Sequence, residues 1–209
     1  MLAVTLYLGV WQIERLHWKQ ALLSEIDRAE AAPAVPIPPN PMPFEKVEIA
    51  GTLRGDLVAY YGSEVRGVIG GAKMGAQLIV PLERKGQPPV LVDLGWLPDD
   101  AIVQIPAGPT RIVGYIRPPE PAGRLSPGAD LSQRRFWSLD PAPIGASLGL
   151  TDVAPYTLVA LGPVTATPSP AQSLPRPSND HLGYAATWFG LALCLVGIFV
   201  VFARRTLRR

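Results

Sequence analysis

Cysteine and histidine are nearly absent from this 209-residue chain, which has one of the first, Cys194, and two of the second, His17 and His181. A single thiol excludes an internal disulfide, and no Cys-x-x-Cys or His-x-x-x-His pair exists to hold zinc. A nucleophile–histidine couple would have to draw on His17 or His181, neither of which stands in a Gly-x-Ser-x-Gly-like context. The glycine run Gly67-Val68-Ile69-Gly70-Gly71 lacks the lysine and the strand–helix setting of a phosphate loop. These gaps argue against an enzyme. Charge of one sign is lacking too: 19 basic against 17 acidic residues leave +2, which gives no case for a nucleic-acid partner.

What is present is apolar sequence, 48% of the chain, and 24 prolines. From Leu182 to Ala203 no side chain is ionisable except Tyr184 and Cys194. Those 22 residues exceed the ~20 that a bilayer span needs, and as a helix they measure ~33 Å against a hydrocarbon core of ~30 Å. Arg204, Arg205, Arg208 and Arg209 follow with no acid among them, which places the C-terminus in the cytoplasm by the positive-inside rule.

Ser178-Asn179-Asp180 after Pro177 is a helix start signal, since short side-chain acceptors there can satisfy free amides of the first turn. His181 then falls in that turn. Trp188, seven residues on, shares its face about 10 Å deeper. Gly183, Ala185, Ala186 and Gly190 keep the region small enough for a flat ligand or another helix to approach. Two readings of His181 stand side by side. A neutral imidazole is a competent metal ligand, and a histidine, tyrosine or tryptophan at a bilayer boundary also serves as an interfacial anchor.

Met1 to Ile13 is apolar and uncharged, but 13 residues give only ~20 Å of helix. A signal peptide would need a basic start and a small-residue cleavage site, both missing. The segment is therefore expected to be an incomplete first span, with further apolar residues encoded upstream. Trp11, Leu16, Trp18, Leu22, Leu23 and Ile26 repeat at helical spacing among charged residues, which extends the helix to about Ala32 and puts Trp11 and Trp18 in the interfacial belt. His17 reads as a solvated side chain.

Six prolines lie in Pro33–Pro43, and a second proline-rich stretch runs from Pro163 to Pro177; each is expected to be a polyproline II strut. Between them, short apolar runs bounded by Gly, Pro and Asp predict antiparallel strands at Glu45–Leu53, Leu57–Ser63, Ala76–Glu83, Val90–Trp96, Thr110–Tyr115 and Tyr156–Ala160. Asp140-Pro141 opens one short helix that stops at Leu148-Gly149. Asp99-Asp100 reads as a turn, and Arg134-Arg135 as a solvated strand end or a contact for a carboxylate. The chain is thus expected to be an α+β membrane protein. A first transmembrane helix covers 1–13, its extension 14–32, a linker 33–43, a β-rich extramembrane domain 44–162, a linker 163–180, a second transmembrane helix 181–203 and a basic tail 204–209.

The run Asn179-Asp180-His181-Leu182-Gly183-Tyr184-Ala185-Ala186-Thr187-Trp188 closely resembles the last-helix signature Asn-x-His-Leu-x-Tyr-x-x-Thr-Trp of the Surfeit locus protein 1 family, which assists cytochrome c oxidase assembly. Gly9-Val10-Trp11-Gln12 through Arg15, Trp18 and Lys19 resembles the end of that family's first transmembrane helix. Gly75–Pro81 and Val90–Pro98 resemble its paired core strands, the second ending in a Gly-Trp-x-Pro turn, and Phe136–Asp140 its aromatic-x-x-Asp helix start. One departure is that Asp93-Leu94 stands where members commonly carry Asn-Arg. The resemblance implies work in the biogenesis of a haem a-containing oxidase, with haem a bound through His181, as axial iron ligand, and Trp188. It implies as partners the oxidase catalytic subunit, haem a synthase and membrane lipid. The absence of a transit-type leader favours a bacterial inner membrane, with the β domain in the periplasm and both termini cytoplasmic; Arg15 and Lys19 weigh weakly against that orientation. The alternative is a two-anchor scaffold that holds an oxidase subunit through its β domain without a cofactor.

Overall fold

A computed structural model describes residues 1–68, 71–163 and 165–208. Ile69 and Gly70 of the glycine run, Val164 of the second proline-rich stretch and the tail residue Arg209 lie outside the described residues. The chain divides into two units, Met1–Ala31 with Pro175–Arg209, and Ala32–Leu174.

The first unit is a pair of helices. Helix α1 runs unbroken over Leu2–Ala31, one residue short of the expected end, where Pro33 would lack an amide to continue it. Helix α3 covers His181–Leu207. Among the described residues α3 alone is long and apolar enough to cross a membrane. Helix α1 does not qualify by itself, because Glu14, Arg15 and Lys19 follow directly on its apolar first third.

Among its described residues the second unit holds eight strands and one short helix. In chain order these are β1 (Val35–Pro36), β2 (Lys46–Leu53), β3 (Ala59–Val68), β4 (Gly71–Arg84), β5 (Gln87–Pro98), β6 (Pro109–Arg117), β7 (Arg135–Phe136), α2 (Pro141–Ser147) and β8 (Thr157–Ala160). Strands β2, β6, β8, β5 and β4 follow one another round a ring, which β2 closes by pairing with β4 at Thr52–Glu83 and Leu53–Leu82. The expected antiparallel pattern holds for β2–β6, β4–β5, β3–β4, β6–β8 and β2–β4, while β1–β2, β3–β7 and β5–β8 are parallel. Strand β8 can lie parallel to β5 because the long connection through β6, β7 and α2 brings the chain back to the same end.

The core follows the two-residue period of the strands. Val90 and Val92 of β5 join Val47, Ile49, Leu82, Ile116 and Leu158 in one cluster; Leu91, on the opposite face, joins Ile79, Phe136, Leu139 and Ile144 in another. With both faces covered, this strand needs an uninterrupted apolar run, and Val90-Leu91-Val92 supplies it. Helix α2 seals the second cluster and forms where expected. Asp140 caps it by accepting from the Ala142 amide, and Gly149 takes the positive φ, 77°, beyond its end.

Two expectations need correcting. The proline stretches are not free struts: Val35–Pro36 pairs with Val47–Glu48, Ile37 packs on the core, and Ser169 bridges to Trp96. Proline is tolerated at such an edge because no ladder bond is asked of its nitrogen. The strands β3 and β4 also run well past their predicted ends into a long arm. Strand β7 covers β3 at Tyr60 and Tyr61 only, so its outer part, with the paired Glu64 and Arg66, has β4 alone beside it among the described residues.

Candidate functional site

The faces that α1 and α3 turn to each other are built of small and polar residues. On α1 the buried positions are Thr5, Gly9 and Gln12, spaced four and three apart, which is one helical face. On α3 they are Ala185 and Ala192, with His181 and Trp188 half-buried on the same stripe. The approach is close at Gly9, where a Cβ atom would lie 2.7 Å from the Phe189 ring. Glycine is what lets the two backbones meet there.

His181 and Trp188 thus share a face, as the seven-residue spacing predicts, and that face is the one packed on α1. The His181 Nδ1 lies 2.7 Å from Oε1 of Gln12. A carboxamide oxygen can only accept, so Nδ1 donates, and in the neutral form of the ring the lone pair is on Nε2. Trp11 meets the imidazole edge to face, with ring centroids 6.5 Å apart and planes at 85°. Gly183 and Gly190 have open space around them. Below the imidazole, Lys19 donates to the Ser178 carbonyl at 2.8 Å, and Arg176 is paired with Asp27 and Glu30. These ties fasten the start of α3 to the second half of α1.

One local expectation fails: Asp180 occupies the cap position but its side chain makes no cap hydrogen bond. With φ of −92° and ψ of 8°, its backbone is already near-helical, a poor geometry for the side-chain reach to the next amides. His17 is exposed, in keeping with a solvated side chain. Trp18, expected at an interface, lies under the Arg15 guanidinium at 4.0 Å. Gln12 is the member of the constellation that its sequence context does not single out, beyond its place in the Trp11-Gln12 motif.

In the β unit, Asp93 is the one buried carboxylate among the described residues. It accepts from the Gly95 amide at 2.9 Å. Burial pushes its pKa up to about 6, against the smaller pull of that amide and of Arg117 and Arg66. Leu94 beside it is partly buried and packs on two apolar clusters. Gly95, at φ 114°, carries the antiparallel bridge in which Trp96 and Ser169 exchange two 2.8 Å bonds. Gly95–Pro98 is therefore strand rather than turn, and the turn falls at Asp99-Asp100. Arg135 is not a solvated strand end: its side chain is 15% exposed and its guanidinium meets Asp99 at 2.7 Å within the chain.

Residues 1–193 match the SURF1 family model. The chain belongs to the SURF1 family. A SURF1-like protein of Rickettsia felis is 28% identical over 98% of this chain and 94% of its own length. Surfeit locus protein 1 of Takifugu rubripes is 23% identical over 97% and 92%, and that of Mus musculus 24% over 95% and 72%. SURF1 proteins are cytochrome c oxidase assembly factors and are not known as catalysts.

Proposed function

We propose that this SURF1 protein holds haem a through His181 while it assists assembly of a cytochrome c oxidase, with the catalytic subunit and haem a synthase as partners. The observation that carries the reading is the state of the His181 ring. Its Nδ1 is committed to Gln12, which leaves Nε2 with the lone pair that haem iron takes. Trp188, half-buried on the same stripe, offers an aromatic wall. When bound, haem a supplies a redox-active iron in a large apolar macrocycle. The protein's share is to ligate it at His181 and border it at Trp188.

In this reading α3 crosses the bacterial inner membrane, the apolar first third of α1 lies in the lipid with it, and the β unit is periplasmic. The terminal arginines support a cytoplasmic C-terminus, and a first span at α1 would bring the N-terminus to the same side. Alkaline phosphatase fused after the last residue should be inactive, and activity there would reverse the orientation.

The site is tested by His181→Ala expressed with haem a supply. The apolar helix should still insert at normal abundance, with little or no haem in the purified protein. Trp188→Phe should weaken binding without abolishing it, and His17→Ala should change nothing. Full haem a occupancy with an unchanged Soret band in His181→Ala would reject the ligand and favour the cofactor-free scaffold.

A further inference from the structure

A histidine offered to iron must present the correct nitrogen, and nothing on α3 itself selects one. The free imidazole side chain favours the tautomer with its proton on Nε2, the form that has no lone pair there. On α3 the nearest side chains on the same stripe, Ala185 and Trp188, give Nδ1 no acceptor. The acceptor comes from the other helix. Gln12 is 8% exposed, and its Oε1 stands 2.7 Å from Nδ1 across a sequence separation of 169 residues. It lies one turn from Gly9, whose missing side chain admits the Phe189 ring and sets how closely the helices approach. Trp11, next to Gln12 in the chain, limits ring rotation from the edge. A buried carboxamide on an otherwise small-residue face costs free energy unless it is paired. This one is paired with the single group whose proton position matters.

We infer that Gln12 is a positioning residue for His181. By accepting from Nδ1–H it holds the imidazole in the tautomer that leaves Nε2 free, so the ligand is ready only when α1 and α3 are packed together. The inference rests on the haem reading for its purpose, but the tautomer can be tested without haem. It also makes the site a property of the helix pair: α3 alone carries the histidine and lacks the means to orient it.

The test uses the full chain, haem-free, in detergent micelles with ¹⁵N-labelled histidine, and a His17→Ala copy to assign His181. The ring nitrogen shifts should report Nδ1–H in the parent protein and a change toward Nε2–H in Gln12→Leu. Gln12→Glu, which keeps an acceptor oxygen at the same reach, should restore Nδ1–H and guards against a general packing defect in the leucine variant. A haem a titration of the same set should show roughly 10–100-fold weaker binding for Gln12→Leu, the usual loss when a ligand's orienting partner is removed, and near-parent binding for Gln12→Glu. An Nε2–H ring in the parent, or an unchanged tautomer in Gln12→Leu, overturns the inference. So does equal haem affinity of parent and Gln12→Leu when both bind through His181. If the tautomer responds as expected and no form binds haem a, the haem reading fails while the control of the ring by Gln12 stands.

Discussion

The two units of this protein bury opposite kinds of residue. In the β unit the interior is Val47, Ile49, Leu82, Val92, Ile116 and Leu158, all but inaccessible, and among the described residues the carboxylates other than Asp93 lie outside. In the helix pair the interior is Thr5, Gly9, Gln12, Ala185 and Ala192, while Leu193, Ile198, Phe199 and Phe202 point outward at two-thirds exposure or more. The first arrangement is what water imposes, because removing apolar surface from water is the main gain on folding. The second suits apolar surroundings, in which large side chains gain nothing by turning inward and small ones allow close approach. A polar pair such as Gln12 and His181 then becomes the specific element of the contact.

The largest test of that contrast is a matched truncation. Leu158→Ala should cost about 2–5 kcal/mol, seen as a lower denaturation midpoint of the β unit. Leu193→Ala on α3, which removes the same atoms from an outward position, should leave that midpoint and membrane insertion unchanged. Next comes the buried carboxyl. The folded pKa of Asp93 is raised from its ordinary 3.8 to about 6, so its contribution is favourable below pH 4 and is lost as pH rises through 6. Asp93→Asn keeps an acceptor for Gly95 and removes the charge. It should stabilise the β unit by about 3 kcal/mol at pH 7.5 and by almost nothing at pH 4, as read from denaturation at the two pH values. Smaller still is the change in the helix pair. Gly9→Val drives a side chain into the Phe189 ring and should loosen the α1–α3 contact by about 1–3 kcal/mol, measured by cross-linking between cysteines placed on the two helices, with the β unit unaffected.

Local chemistry made much of this legible in the sequence. Asp140-Pro141 and Gly149 mark α2 because capping and positive φ are decided by neighbouring residues, and the six strands carry their own alternation or apolar runs. The arm of β3 and β4 is not legible because Glu64, Arg66, Gly67 and Lys73 show no apolar period; it is held by strand pairing, by Trp96 donating to the Glu64 carbonyl and by the Lys73–Asp100 ion pair. The two-residue strands β1 and β7 exist only through their partners, and a proline run gives no hint of one. In the site, the common face of His181 and Trp188 follows from helical geometry. Gln12 does not, since nothing near it in sequence says which distant ring it will meet.

Closure of the β ring has a consequence for the protein's life before it finds a partner. A sheet rim with unmet amides and carbonyls is a template on which another chain can add a strand and begin to aggregate. Ring closure removes that hazard for β2, β5, β6, β8 and the ring part of β4, and leaves it on the arm, along the outer part of β3 and the first residues of β4. There the register slips between Tyr61 and Glu64, and Glu64 and Arg66 set opposite charges along the rim. A bulge and a charged pair are the features that make a free strand a poor template. The outer part of β3 is thereby a poor template for an added strand.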